Sequence, residues 1–525
     1  MRLSDKARAA VAAPNVRSKA HRGRSGADAR IDIHITNHYA AKIYTTGDSI
    51  TGAAVIRVPR DTPFDRVVIQ FAGVAATRNY MMPEIDQVLH HFLLLDMPPV
   101  SKATATTTTT TTTPPLLLLP SDRILRAGRT YTLPFHFVVP ERLPLGACSH
   151  RCEHPSVREH HLRLPPSTRA WGDRDDASPE TARVQYCVSA SVLQRSVFAP
   201  SEPVSVLRGY HEVNVLPVHA EDAPLDVGRG GGGADKGQEY KLTSSKVLRK
   251  SLVSRKIGTV TVEAAQPSAV VISSDARQVS RTRIALKLAF FPTAARKDGG
   301  GGGGGGGGSS SLSSSLPSSS SSFPGAADSE EALLPTVHSI TAKLVAKTYY
   351  NTSHMGAFPD RDRRNELNFG ASMYYTDTSR TTEVQFDRDE GWQRVVVVHN
   401  QNQAADHHQS SSGAWAMALD TGFQLPVDRK KILLPTFHSC LLSRTYTLRL
   451  ALSVGPGRIT VALSVPLQVI VEPGIGTVPR PPLDAVSGRQ GIDAALPRYK
   501  DHLFVQRRYD DDINTLIPPG IGIIM

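Results

Sequence analysis

Residues 119–144 read LPSDRILRAGRTYTLPFHFVVPERLP, and from Tyr131 to Val139 every second residue is apolar: Tyr131, Leu133, Phe135, Phe137 and Val139. A period of two is the signature of a half-buried strand. Pro134 interrupts it, and proline has no N–H to give to a sheet ladder. The stretch therefore predicts a strand at a sheet edge or at a bulge, where that donor is not needed. Prolines also discourage unwanted edge-to-edge pairing.

Outward from this stretch the same period recurs. Ile31, Ile33 and Ile35 alternate, as do Val67, Ile69 and Phe71, and Val184, Tyr186, Val188, Ala190 and Val192. Later come Val260 and Val262, then Ile284, Leu286, Leu288 and Phe290, then Ile340, Ala342 and Leu344. The longest patterns run over 446–454 and 459–471, joined by Gly455-Pro456-Gly457, a hairpin signal. Long amphipathic helices are absent from the pattern, and DQVLHHFLLL at 86–95 is read as one short helix. Many short strands punctuated by glycine and proline predict an all-β chain of antiparallel β-sandwiches.

A chain of 525 residues exceeds one compact core, so two domains are expected. The net charge of +12 suits acidic partners, namely anionic lipid, phosphorylated protein or nucleic acid, and equally a basic surface with no dedicated partner. Nucleic acid is disfavoured, because no stacking aromatics are interleaved with the basic residues. Four cysteines make no disulfide framework and point to a reducing compartment. The sequence predicts no membrane-spanning helix and no secretory signal at its start.

Low-complexity runs divide the chain. Residues 106–113 are all threonine, 299–308 all glycine, and 309–322 almost all serine. Such runs cannot pack a core and are expected as flexible insertions. The predicted organisation is a disordered basic arm over 1–30 and a first β-sandwich over 31–218, with an insert at 100–118. A linker over 219–244 contains the glycines 228 and 230–233. A second β-sandwich follows over 245–472, with an insert at 297–332, and then a disordered tail over 473–525.

Several of these segments resemble the arrestin family. LRAGRTYTLPFHFVVPERLP (125–144) is similar to the Gly–Tyr–PFxF–Pro–LP strand of the arrestin amino-terminal domain. HLRLPPS (161–167) and ARVQYCVSASV (182–192) follow in the family's order. KIGTVTVEAAQPSAVVI (256–272) looks like the opening of the carboxy-terminal domain. PTFHSCLLSRTYTLRLALSV (435–454) with ITVALSVPLQVIV (459–471) looks like its closing hairpin. The likeness is greatest to the fungal α-arrestins. It implies two arrestin-type antiparallel β-sandwiches and a non-enzymatic adaptor with no cofactor. Such an adaptor joins membrane transporters or receptors to a WW-domain HECT-type ubiquitin ligase for ubiquitination and endocytosis. It implies a cytoplasmic chain recruited peripherally to plasma membrane or endosomes. The alternative is an arrestin-fold trafficking or signalling scaffold without ligase binding.

WW domains of such ligases grip PPxY motifs, and this chain has none. The nearest segment is LPRY at 496–499, where Leu496 replaces the first proline and Pro497 and Tyr499 are kept. A polyproline-type backbone with an aromatic two residues on suits a WW groove. Lys246, Arg249, Lys250, Arg255 and Lys256 cluster at the start of the second domain, with Arg281, Arg283 and Lys287 beyond. They form a candidate patch for acidic lipid or cargo. CSHRCEH at 148–154 alternates Cys148, His150, Cys152 and His154. On an extended strand these side chains share one face and string out along it, so no metal ligands are assigned. The pairs His90–His91, His160–His161 and His407–His408 leave a metal-dependent hydrolase as a distant alternative, without any zincin spacing or nucleophile elbow.

Overall fold

The computed structural model describes residues 29–78, 87–97, 119–195, 203–225, 240–249, 256–293, 334–359, 373–386, 391–396, 413–425 and 430–473. Residues 1–28 of the basic arm, the threonine, glycine and serine runs, the linker glycines, His407 and His408, and the tail from 474 with LPRY lie outside them, and Arg30 already belongs to the first strand.

The strands before the linker are β1 (Arg30–Ile35), β2 (Ile43–Tyr44), β3 (Ser49–Arg57), β4 (Thr62–Pro63), β5 (Arg66–Thr77) and β6 (Val88–Asp96). β7 (Ile124–Leu125), β8 (Thr130–Val138), β9 (Ala182–Arg195) and β10 (Pro203–Val215) follow, with one helix, α1 (Pro155–His161), between β8 and β9. After the linker come β11 (Thr243–Arg249), β12 (Lys256–Ala264), β13 (Val270–Ile272), β14 (Arg281–Pro292), β15 (Val337–Tyr350) and β16 (Met373–Thr378). The chain continues through β17 (Thr382–Phe386), β18 (Gln393–Val396), β19 (Gly413–Gln424), β20 (Phe437–His438), β21 (Leu442–Val454), β22 (Ile459–Leu467) and β23 (Val469–Val471).

The fold is all-β and sandwich-like. In the first half a sheet of order β1-β3-β8 faces one of order β2-β10-β9-β5-β6, with a small β4-β7 pair beside them. Their facing residues make one core: Ile31, Ile33, Ile50, Ile56, Tyr131, Phe135 and Phe137 from the first sheet, Ile69, Phe71, Tyr186, Val188 and Val192 from the second. Phe71 spans the interface, with its ring centroid 6.0 Å from Phe137 and 5.9 Å from Tyr186. At Gly209 on β10 the sheets approach so closely that a Cβ would lie 2.2 Å from the Ile31 carbonyl oxygen. Only glycine fits there.

Pro134 sits where the sequence places it. Strand β8 pairs with β3 alone, so it is an edge, in unbroken register from Ser49↔Val138 to Arg57↔Thr130. The Val139 N–H donates to the Asp48 carbonyl just past the ladder. Antiparallel bonding alternates along a strand, so counting back by twos aims Phe137, Phe135 and Leu133 N–H at β3. The Pro134 ring nitrogen then faces the open side. One expectation fails: of the stretch 86–95, read as a short helix, the residues from Val88 onward are a strand. Strand β6 pairs along β5 from Gln70↔Asp96 to Thr77↔Val88, with a bulge between Gly73 and Val74. The bulge slips the phase, so His90, Phe92 and Leu93 are all buried and the period of two is lost.

In the second half the strands follow the order β11-β12-β14-β19-β17-β15-β21-β20, with β16 on β15, β18 on β19 and β22 on β21. Strand β17 links the two faces by pairing with both β15 and β19. Strand β14 alternates exposed and buried residues over nearly its whole length, turning Ile284, Leu286, Leu288 and Phe290 inward. They meet Ile340, Leu344, Leu448, Leu450, Leu452, Val461 and Leu463 in a second core. The expected hairpin joins β21 to β22, with Gly455 at φ 75° and the Arg458 N–H donating 3.0 Å to the Gly455 carbonyl.

No described sheet takes strands from both sides of the linker. The halves instead exchange side chains. Phe437, Cys440, Leu441 and Leu442 belong to the first core, and Trp171 and Leu216 belong to the second. The seam between them is polar and ordered. Arg444, on β21, is almost wholly buried and shares parity with core-facing Tyr446 and Leu448. It donates from Nη2 to the carbonyls of Asp176 at 2.9 Å and Ala177 at 3.1 Å and to Ser178 Oγ at 3.0 Å. Its Nε donates 2.9 Å to Thr348 Oγ1, and its Nη1 lies 3.4 Å from the Tyr446 hydroxyl. The Asp175 N–H donates to the Lys430 carbonyl, and the Ile432 N–H returns to the Asp175 carbonyl.

Candidate functional site

The segment 145–161 does not run as a strand, which corrects the premise behind the sequence reading of CSHRCEH. Leu145–Ala147 form a 3-10 turn, and Cys148 follows with φ −126° and ψ 85°. His154 then caps a helix: its Nδ1 accepts the Ser156 N–H at 3.2 Å, and Pro155 takes the first turn, where no N–H is needed. Helix α1 buries Val157 and His161, four residues apart on one face. Turn and helix fold the segment back on itself, so Cys148, His150, Cys152 and His161 converge. His154 stays exposed at the helix start, outside the group.

The fifth member comes from the other half. Cys440 lies between β20 and β21, and its Sγ is 3.8 Å from the Ala147 carbonyl. Ligand atoms of Cys148, His150, His161 and Cys440 all lie within 4.8 Å of one another. From Cys148 Sγ the distances are 3.4 Å to His150 Nε2, 3.6 Å to His161 Nδ1 and 3.7 Å to Cys152 Sγ. Cys148 is fully buried, Cys440 is 1% exposed and His161 2%. All four cysteines of the chain are free thiols.

The surroundings hold the group in place. The Met355 N–H donates to the Cys440 carbonyl and the Glu153 N–H to the Gly356 carbonyl, so the 351–356 loop braces both sides. His354 stacks on His150 with centroids 4.7 Å apart, and His90 meets His354 edge-on at 5.3 Å. His90 Nε2 bonds the Ala147 carbonyl at 2.9 Å, and burial pulls its imidazole down to about 4. The Cys148 thiol is held far below its ordinary value. The neighbouring Cys440 thiol, then His150 and His161, lower it against the opposing effect of burial. His150 is raised beside Cys148, while Cys440 is pushed up by Cys148 and by burial.

A second polar cluster lies beside it on the seam. Arg163 grips Asp222 in a two-pronged pair, Nη1 to Oδ2 at 3.0 Å and Nη2 to Oδ1 at 2.7 Å. His160 Nε2 is 3.2 Å from Asp222 Oδ2, and Gln468 Nε2 donates 3.0 Å to the same oxygen. Although burial opposes it, these partners hold Asp222 well below the usual carboxylate range. The His160–His161 pair thus splits, one ring to Asp222 and one to the cysteines. Residues 219–225, the start of the expected linker, run along the seam: His219 bonds the Leu164 carbonyl and the Leu225 N–H donates to Gln266.

The structure divides the basic patch. Lys246 and Arg249 are exposed on β11, a sheet edge, and Arg249 pairs in register with Lys256 at the start of β12. Lys250 and Arg255 lie outside the described residues, as do Leu496, Pro497 and Tyr499. Lys246 faces Val260, which faces Phe290, nine residues along β14 from Arg281. At ~3.3 Å per residue that is about 30 Å, so Arg281 belongs to the far end of the sheet. Arg283, near that end, lies 3.7 Å from Asp420.

The convergence of Cys440 on Cys148 was invisible in the sequence, since the two stand nearly three hundred residues apart. The helix had a signal: Pro155 at its first position and the Val157–His161 spacing. No helix among the described residues is long and apolar enough to cross a membrane. Comparison with protein-family models and with curated proteins finds no match.

Proposed function

We propose that this chain is a non-enzymatic adaptor of arrestin-like build, joining membrane cargo to a WW-domain ubiquitin ligase through its tail. The observation that carries the reading is the interlocked seam. Each half contributes side chains to the other's core, and Arg444 ties the 176–178 loop of the first half to β21 of the second. Such a body offers long sheet faces and edges in a fixed relation, which suits holding partners together. Of the two thiols beside His150 and His161, Cys148 has no exposed surface with which to meet a substrate and Cys152 is only partly exposed. The order of family-like segments in the sequence supports the same reading, and the β11 edge with Lys246 and Arg249, with Lys256 beside it on β12, suits an acidic headgroup or cargo tail.

In this account the ligase attaches at Leu496, Pro497 and Tyr499. With leucine in place of the first proline the affinity is expected to be about tens of micromolar. The test is calorimetric titration of isolated WW domains into the full chain. Tyr499→Ala is expected to abolish the binding heat and Leu496→Pro to tighten binding. If no WW domain binds even Leu496→Pro, the ligase-free scaffold replaces this reading.

A further inference from the structure

We propose that Cys148, His150, His161 and Cys440 bind one zinc ion, which fastens the two halves of the molecule across their seam. The inference stands apart from the adaptor reading.

The distances carry it. Zinc bonds thiolate sulfur at ~2.3 Å and imidazole nitrogen at ~2.0–2.1 Å, in a tetrahedron. The edges of that tetrahedron are then about 3.6 Å between sulfur and nitrogen and about 3.8 Å between sulfurs. Cys148 Sγ stands 3.4 Å from His150 Nε2 and 3.6 Å from His161 Nδ1, and Cys440 completes a group in which no two ligand atoms exceed 4.8 Å. Thiols and imidazoles gathered at those separations match the edges of a metal site.

Charge and tautomer agree. Two thiolates, two neutral imidazoles and Zn²⁺ sum to zero, the balance that suits a site in which three of the four ligands are buried and only His150 is partly exposed. His150 Nδ1 lies 3.2 Å from the Arg151 carbonyl, a bond it can only donate to. That places the proton on Nδ1 and leaves the Nε2 lone pair facing Cys148, the arrangement in which a backbone carbonyl orients a metal-bound histidine. Two soft sulfur and two nitrogen donors select zinc over magnesium or calcium. Cys152, 3.7 Å from Cys148 Sγ, is partly exposed and stands beside the set as a reserve thiol. The covalent balance is simple: binding releases the thiol protons to solvent, and no electron is transferred.

The consequence is mechanical. Three ligands belong to the 148–161 segment of the first half, and the fourth to the turn before β21, the strand that also carries Arg444. One ion therefore joins the same two halves as the Arg444 hydrogen bonds, at a different pair of segments.

The test is zinc content of the full chain, purified without a histidine tag, equilibrated with zinc under reducing conditions, and measured by inductively coupled plasma mass spectrometry. Wild type is expected to hold about one zinc per chain, and Cys440→Ser less than about a fifth of that. Cys187→Ser, which removes a buried cysteine of β9 outside the group, is expected to keep the full amount. Cobalt in place of zinc is expected to give the visible bands of a tetrahedral thiolate site in wild type. Wild type without stoichiometric zinc, or full zinc in Cys440→Ser, would overturn the proposal. Loss of zinc in Cys152→Ser with retention in His150→Ala would overturn the ligand set.

Discussion

Replacing Arg444 by methionine removes a buried charge while keeping most of the side-chain volume. The structure allows the cost to be worked out partner by partner. Arg444 serves five acceptors: the Asp176 and Ala177 carbonyls and the hydroxyls of Ser178, Thr348 and Tyr446. Ala177 keeps a donor in the variant, since Thr348 Oγ1 also donates to its carbonyl at 3.1 Å. Tyr446 keeps its own 2.7 Å bond to the Leu434 carbonyl. The Asp176 carbonyl and Ser178 Oγ lose the guanidinium with no replacement in view. Each orphaned buried acceptor costs ~1–3 kcal/mol, and relief of the guanidinium's own desolvation returns part of that. The net expectation is a loss of about 3 kcal/mol, seen as a lower urea midpoint at unchanged slope. Arg444→Lys keeps the charge but offers a point donor in place of the planar fork, and should lose somewhat less. A loss below ~1 kcal/mol for Arg444→Met would refute the claim that these bonds hold the seam.

Three further outcomes are expected. Gly209→Ala should destabilise by about 3 kcal/mol, at the upper end of overpacking costs, because the obstructing atom is backbone; a melting temperature equal to wild type would show that β1 can yield. Acidification should destabilise. Burial lowers His91 and His219, so the unfolded chain binds their protons first, and their contribution is complete above about 6.5 and fades as pH falls below it. Asp222, also lowered, adds to the loss at still lower pH; a urea midpoint that rises as pH falls from about 7.5 to about 5.5 would contradict this. Lys246→Glu with Arg249→Glu should weaken binding to phosphatidylserine vesicles, and wild-type binding should fade as salt rises; wild type that ignores such vesicles at low salt would show the β11 edge to be merely solvated.

What the sequence revealed depended on how far each interaction reaches. Alternation marks a strand from its own residues, so β1, β5, β8, β9, β12, β14 and β15 were legible, and Pro134 even named its edge. The hairpin at Gly455 was legible for the same reason. Strand β6 was not, because its bulge makes neighbouring residues face one way and imitates a helix. Helix α1 was short enough to hide behind the alternation of cysteine and histidine, though Pro155 announced its first turn. Arg444 carried a readable sign, since it keeps step with Tyr446, Leu448 and Leu450, all of which face the core. The cysteine–histidine group could not be read whole: the turn and helix that fold 148–161 back were hidden, and Cys440 joins them only when the two halves interlock.

The central claim is that this chain acts by bringing other proteins together at a membrane, with Tyr499 as the point of attachment for a ligase. The most direct measurement is proximity labelling from the full chain in cells, followed by quantitation of ubiquitin on the labelled membrane proteins, wild type against Tyr499→Ala. The account predicts the same membrane proteins captured by both and their ubiquitin signal lost in the variant. An unchanged ubiquitin signal on those proteins, or no membrane proteins among the wild-type captures, would contradict it.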